Sequence, residues 1–304
     1  QLFNFLVLKS LSAIISCYLF YILIRYSIFV KIISNYYKME TADLKVSIIG
    51  AGNMGGAIAR GLAKGSLILN KNIKVSDISD ENLLAIQTVA PDIIISKSNV
   101  EIIKEADIII LAVKPWLVEV VAKEIDHKID YRKQIIVSIA AGVDFEKLAE
   151  LFDTEATLFR IIPNTAIDVL QSVSTISAHK ASKEQEELIL SLFNELGQTY
   201  LVPETQLNAF MSLSSCGIAY AFRYIRAAME GGVEMGIYPA VAQKVILQTL
   251  RGAIDLLEAN QSHPEVEIDK VTTPGGITIK GLNEMEANGF TNAVIKGLKT
   301  SHLK

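Results

Sequence analysis

Between residue 45 and about residue 202, apolar and polar positions fall into a repeating order in which short β-branched runs alternate with longer amphipathic stretches. "LKVSIIG", "NIKVSD", "DIIIS", "ADIIILAV", "QIIVSIA" and "TLFRIIP" predict strands, and "GAIARGLAKG", "DENLLAIQTV", "LVEVVAKEI" and "FEKLAELF" predict helices between them. Strands alternating with helices predict a mostly parallel sheet covered on both faces. Beyond Pro203 the pattern changes. "QLNAFMSLSSCGIAYAFRYIRAAMEGGVEMG" and "AVAQKVILQTLRGAIDLLEAN" place apolar residues at helical spacing with no strand-like run between them. The expected organisation is therefore an α/β domain over residues 39–202 and an all-helical domain over residues 203–304. Ala, Gly and Ser are frequent on the later helices, which suits close helix packing, and a homo-oligomeric interface is expected there.

Residues 1–38 differ in kind. "LSAIISCYLFYILI", residues 11–24, is apolar or small throughout, after which Arg25 and Lys31 interrupt the run. Three readings stay open: a signal-like segment, a tilted membrane anchor, or upstream sequence outside the mature fold. The third is favoured, because Met39 is the first methionine and stands just before the first predicted strand.

Composition narrows the chemistry. The 304 residues are 50% hydrophobic with a net charge of -4, and acidic and basic residues are interspersed. No basic footprint for nucleic acid is visible. The two cysteines, Cys17 and Cys216, form neither a disulfide framework nor a CxxC pair, and a reducing compartment fits. The four histidines stand singly, without HxxH or HExxH spacing, so no metal site is expected and a Ser-His-Asp triad lacks its parts.

The strongest motif is "SIIGAGNMGGAIARGLAKG", where Gly50, Gly52 and Gly55 form GxGxxG between a strand and a helix. Gly50 suits a tight turn, Gly52 lets a pyrophosphate approach the backbone, and Gly55 lets the helix pack close to the strand. Asn53 and Met54 lie in the same turn, at a helix N-terminus that favours anions. Asp77 ends the next strand, where a carboxylate accepts from an adenosine ribose and repels a 2′-phosphate. NADH or NADPH is the expected cofactor, with NADH slightly favoured. Asp77 as the cap of a turn is the competing reading. In "LAVKPW", Ala112, Lys114 and Pro115 sit at the C-terminal end of a strand, the side on which cofactors lie, although Lys114 also reads as a solvated loop lysine.

Taken together, "IIGAGNMGGAIARGL", "ADIIILAVKPW", "IVSIAAGV", "RIIPNTA", "SSCGIAYAF", "GGVEMGI" and above all "VTTPGGITIKGLNEME" resemble the pyrroline-5-carboxylate reductase family of proline biosynthesis. The resemblance runs from about residue 45 to 297. It implies a Rossmann domain joined to a helical dimerisation domain, hydride transfer from NAD(P)H to the C=N carbon of a cyclic imine, and a cytoplasmic location. That chemistry rests on orientation and electrostatic placement, so no strong acid or base is required and no catalytic residue is assigned. The resemblance adds Asn164 to the cofactor set and gives Thr272, Thr273, Gly275, Gly276 and Thr278, with Ser215 and Cys216, as substrate-binding residues. The chain departs from the family's usual pattern at Cys216, Ile218 and Ala166, which bears on the shape of the pocket. Two alternatives remain: a reductase of another small imine or a hydroxy acid, and a non-enzymatic dinucleotide-binding protein.

Overall fold

The computed structural model describes residues 43–302. The hydrophobic segment 1–38 lies outside the described residues.

β1 (Val46–Ile49) leads into α1 (Asn53–Lys64), β2 (Ile73–Ser76) into α2 (Asp80–Val89), and β3 (Ile94–Ser96) into the short α3 (Asn99–Ile103). β4 (Ile108–Leu111), α4 (Val118–Ile125), β5 (Ile135–Ser138), α5 (Phe145–Leu151) and β6 (Thr157–Ile162) continue the alternation. β7 (Ser172–His179), α6 (Lys183–Asn194) and β8 (Gly197–Leu201) complete an eight-stranded sheet of order β3-β2-β1-β4-β5-β6-β7-β8. The first six strands are parallel, β7 runs antiparallel to β6, and β8 is parallel to β7.

Side chains alternate across this sheet with period two, and each set builds its own core. Ile48, Ile108, Ile110, Val137, Phe159 and Ile161 face α1, α2 and α6 through Ile58, Leu62, Ile86 and Phe193. Ile49, Ile109, Leu111, Ile136 and Leu158 face α3, α4 and α5 through Ile103, Val121, Ile125 and Leu148. Burial on both faces explains why these strands read as continuous apolar runs. Helix starts are set locally. Ser79, Ser98, Asp144 and Ser182 each accept a backbone N–H in the first turn of the helix that follows, and Ser182 with Gln185 forms a full capping box.

β7, α6 and β8 are additions to the predicted elements. β7 intersperses Ser and Thr with Val and Ile; its hydroxyls are buried, those of Ser172, Ser174 and Ser177 bonded within the fold, so it lacks the apolar run that marks the other strands.

After β8 the chain is helical: α7 (Leu207–Met211), a π-helical turn (Ser212–Cys216), α8 (Gly217–Glu234), α9 (Pro239–Asn260), α10 (Pro264–Val271), α11 (Ile277–Ala287) and α12 (Phe290–Ser301). α8 packs on α9, α10 touches α9, and α12 packs against the π-turn and α11. From α8 to α12 only Gly232 and Ala242 are buried in the single chain. Phe222, Val241, Val245, Ile254, Leu256 and Ile295 stand exposed. Among the described residues no helix is long and apolar enough to cross a membrane.

Candidate active site

The loops after β1, β2 and β4 meet at the C-terminal edge of the sheet. Gly50 N–H donates to the Ser76 carbonyl at 2.7 Å, and Ala112 N–H donates to the Ile49 carbonyl at 2.8 Å. Gly50 has φ +103°, and a Cβ there would lie 2.6 Å from the Ala112 carbonyl oxygen, so both conformation and space demand glycine. A Cβ on Gly55 would fall 2.0 Å from the Gly50 carbonyl oxygen; α1 is packed directly onto the turn. Gly52 is the opposite case, with nothing within 4 Å of the place its Cβ would occupy. It caps α1 without a side-chain bond, and the first turn of α1 holds no acidic residue. An open approach to free helix N–H groups fits the pyrophosphate of a dinucleotide. Asn53 is exposed and Met54 half-buried beside this opening.

Asp77 is bound to the same turn. One carboxylate oxygen accepts Ala51 N–H at 2.6 Å, and the other accepts Ser79 N–H at 2.7 Å. Asp77 thus caps the turn that leads into α2, as the competing reading has it, while the cap of the helix itself is the Ser79 hydroxyl. Ala112 is half-buried beneath the turn, while Lys114 is exposed and precedes a 3-10 turn over Pro115–Leu117.

The π-turn arrives at this edge from the helical part. Ser215 Oγ donates to the Pro163 carbonyl at 2.9 Å, and Asn164 Nδ2 donates to the Ser214 carbonyl at 3.4 Å. Asn164 is 7% exposed, and its Oδ1 accepts Ala166 N–H, so its side chain is held in one orientation. Ser172 Oγ bonds both the N–H and the carbonyl of Asn164. Pro163, Ser172 and Ser214 are not among the sequence candidates; the π-turn that carries Ser214 here is a device found frequently at functional sites. Cys216 is a free, half-buried thiol on this turn.

Thr272, Thr273, Gly275 and Gly276 form the loop from α10 to α11. Thr272 Oγ donates to the Ile268 carbonyl at 2.9 Å, and Gly276 N–H donates to the Thr273 carbonyl at 2.9 Å, so these bonds run within the loop and the turn before it. A Cβ on Gly276 would lie 2.6 Å from Thr273 Oγ, which places that hydroxyl over the start of α11. α11 has no side-chain cap, and Thr278 stands exposed in its first turn.

Comparison with known proteins shows the family. Residues 204–304 match the family model for pyrroline-5-carboxylate reductase dimerisation, and residues 45–142 match the model for NADP oxidoreductase, coenzyme F420-dependent. Pyrroline-5-carboxylate reductase 2 of Dictyostelium discoideum is 32% identical over 290 residues, covering 86% of this chain and 94% of that protein. The chain belongs to the pyrroline-5-carboxylate reductase family. It is 35% identical to pyrroline-5-carboxylate reductase 1 of the same organism, of which it spans 49%. The pyrroline carboxylate reductase of Plasmodium falciparum, solved with NADP bound, superposes with a TM-score of 0.79 at 25% identity, over 86% of this chain and 96% of that one. Membership agrees with the open glycine turn of the first domain and with the helices that follow residue 204.

Proposed function

We propose that this protein reduces 1-pyrroline-5-carboxylate to L-proline with NADH or NADPH, as an oxidoreductase acting on a CH–NH bond. The observation that carries the reading is the meeting of the π-turn with the Pro163–Asn164 loop at the sheet edge where the glycine turn opens. When bound, the reduced nicotinamide supplies the hydride. The chain's own work is to bind and orient. The N-terminus of α1, from Gly52 through Gly55, takes the pyrophosphate, and Asn53 and Met54 flank it. Asp77 faces the adenosine ribose and sets a slight preference for NADH. Ala112, Lys114, Pro115 and Asn164 complete the cofactor side.

On the substrate side, Ser215 and Cys216 lie on the π-turn, and Thr272, Thr273, Gly275, Gly276 and Thr278 supply donors for the imine carboxylate. Thr272 already gives its hydroxyl proton to the Ile268 carbonyl, and Gly276 its N–H to the Thr273 carbonyl, so both shape the loop rather than donate from it. The donors proposed are therefore the Thr273 and Thr278 hydroxyls and the first N–H groups of α11. A protonated imine carbon is already electrophilic, so orientation and electrostatics suffice.

The reading divides the chain at residues 39–202 and 203–304 and places the enzyme in the cytoplasm. It also makes the exposed apolar faces of α8 to α12 the homo-oligomer interface, because uncovered apolar patches of this extent mark association surfaces. Oxidation of NADH and NADPH by the purified protein in the presence of the imine tests it. Tight cofactor binding without turnover of the imine would refute the substrate.

A further inference from the structure

Arg160 lies in β6, three residues before Pro163. Its Nη1 donates to Glu204 Oε1 at 2.5 Å, with the arginine side chain only 9% exposed. The same carboxylate oxygen accepts Phe145 N–H, the first helical amide of α5, at 2.8 Å. The guanidinium carbon stands 6.0 Å from the centroid of the Phe145 ring. Ser177, opposite Arg160 on β7, donates to the Val202 carbonyl at 2.7 Å, and Val202 N–H donates to Ile176 at 2.9 Å. The chain leaving β8 is thus fastened to β6, β7 and α5 before α7 begins. At the far end of the same crossing, Ser215 and Ser214 are fastened to Pro163 and Asn164.

Segment 204–215 is therefore pinned to β6 and its following loop at two places. Three residues of strand separate them, which is about 10 Å. Between them α7 packs on β7 through the fully buried Leu207, which holds the segment down but leaves its orientation over β6 to the two polar contacts. We infer that Arg160 and Glu204 are a positioning pair for the imine pocket, setting Ser214, Ser215 and Cys216 against Pro163 and Asn164 without touching the substrate. The inference rests on the reading that the π-turn lines that pocket. The glycine turn follows β1, separated from β6 by β4 and β5, so the pyrophosphate end of the cofactor lies beyond the pair's reach, and Asn164 is the one cofactor-side residue that meets the π-turn.

The test compares Arg160→Met, Arg160→Lys and Glu204→Gln in the full chain. Glu204→Gln keeps an acceptor for Phe145 N–H, so it decides the matter if Arg160→Met does not fold. Arg160→Met and Glu204→Gln should raise KM for 1-pyrroline-5-carboxylate about tenfold or more through misplacement of the pocket. The NADH dissociation constant, read from nicotinamide fluorescence, should change far less than that KM, since of the cofactor side only Asn164 meets the π-turn. Arg160→Lys keeps the charge but not the planar fork and should recover part of the loss. Amide exchange across residues 212–216 should quicken in Glu204→Gln, a readout that needs no substrate.

Variants that melt earlier but keep wild-type KM, kcat and exchange at the π-turn would overturn the inference and leave a pair that only adds stability. A loss of NADH affinity as large as the rise in KM would overturn it as well. A wild-type protein inert toward the imine would instead overturn the proposed substrate, and the exchange measurement would still decide the role of the pair.

Discussion

The Asp77 carboxylate accepts the N–H of Ala51 at 2.6 Å, so the residue that closes β2 also holds the glycine turn that closes β1. Its second oxygen holds Ser79 N–H. A residue placed to meet a ribose is thus also a strut of the loop that receives the pyrophosphate. Hydrogen bonds to a charged group contribute about 1.5–3 kcal/mol each, enough to make the strut matter for the shape of the turn. Asp77→Ser should weaken both NADH and NADPH binding, NADH more, and so move the ratio of their kcat/KM values toward NADPH. An unchanged ratio would remove the ribose contact.

Gly52 and Gly55 separate binding from packing within one motif. With nothing within 4 Å of its Cβ position, Gly52→Val should fold with only the small loss in melting temperature of a poorer helix cap while losing cofactor affinity. Gly55→Ala drives a methyl to 2.0 Å from the Gly50 carbonyl oxygen, and overpacking of this kind costs about 1–3 kcal/mol. It should lower the melting temperature. Thermal melts paired with dinucleotide titrations check both, and the opposite assignment of the two effects would refute the geometry.

The apolar faces of α8 to α12 predict association. Val245→Glu or Leu256→Asp, each on an exposed apolar position of α9, should shift the protein toward monomer in light scattering without altering the sheet domain. A wild-type protein that is monomeric at all concentrations would remove the interface.

Tyr131 makes a prediction for alkaline pH. Burial and a hydrogen bond to Asp126 hold its phenol well above the ordinary tyrosine range. A group whose folded pKa is raised keeps its contribution below the unfolded pKa of about 10 and loses it as pH rises past that value toward the folded one. The gap in melting temperature between wild type and Tyr131→Phe should therefore be constant below pH 10 and narrow above it. A gap that widens with pH would contradict this.

Much of this architecture is legible in the residues, and the physical reason is burial. Strands covered on both faces, such as "ADIIILAV", have nothing polar to interrupt them, and helix α11 is readable from "ITIKGLNEMEA" because Ile279, Leu282 and Met285 recur every three residues. β7 is not legible in the same way, since its Ser and Thr hydroxyls find partners in the fold, as Ser172 does on Asn164 and Ser177 on Val202. The π-turn is hidden for a related reason: Ser212 and Ser214 bond back to the carbonyls of Asn208 and Phe210, and local sequence reads as ordinary helix. The Ser182 and Gln185 capping box of α6 was present in the sequence as a recognisable start. For the candidate site, the glycine turn follows from spacing alone, whereas the approach of Ser215 to Pro163 joins residues 52 apart and needs the fold.

The most direct test is steady-state oxidation of NADH and of NADPH by the chain from Met39 onward, with 1-pyrroline-5-carboxylate as substrate. The account predicts turnover with both cofactors, a higher kcat/KM for NADH, and L-proline as the product. Dinucleotide binding without oxidation, or turnover only with a different imine, would contradict it.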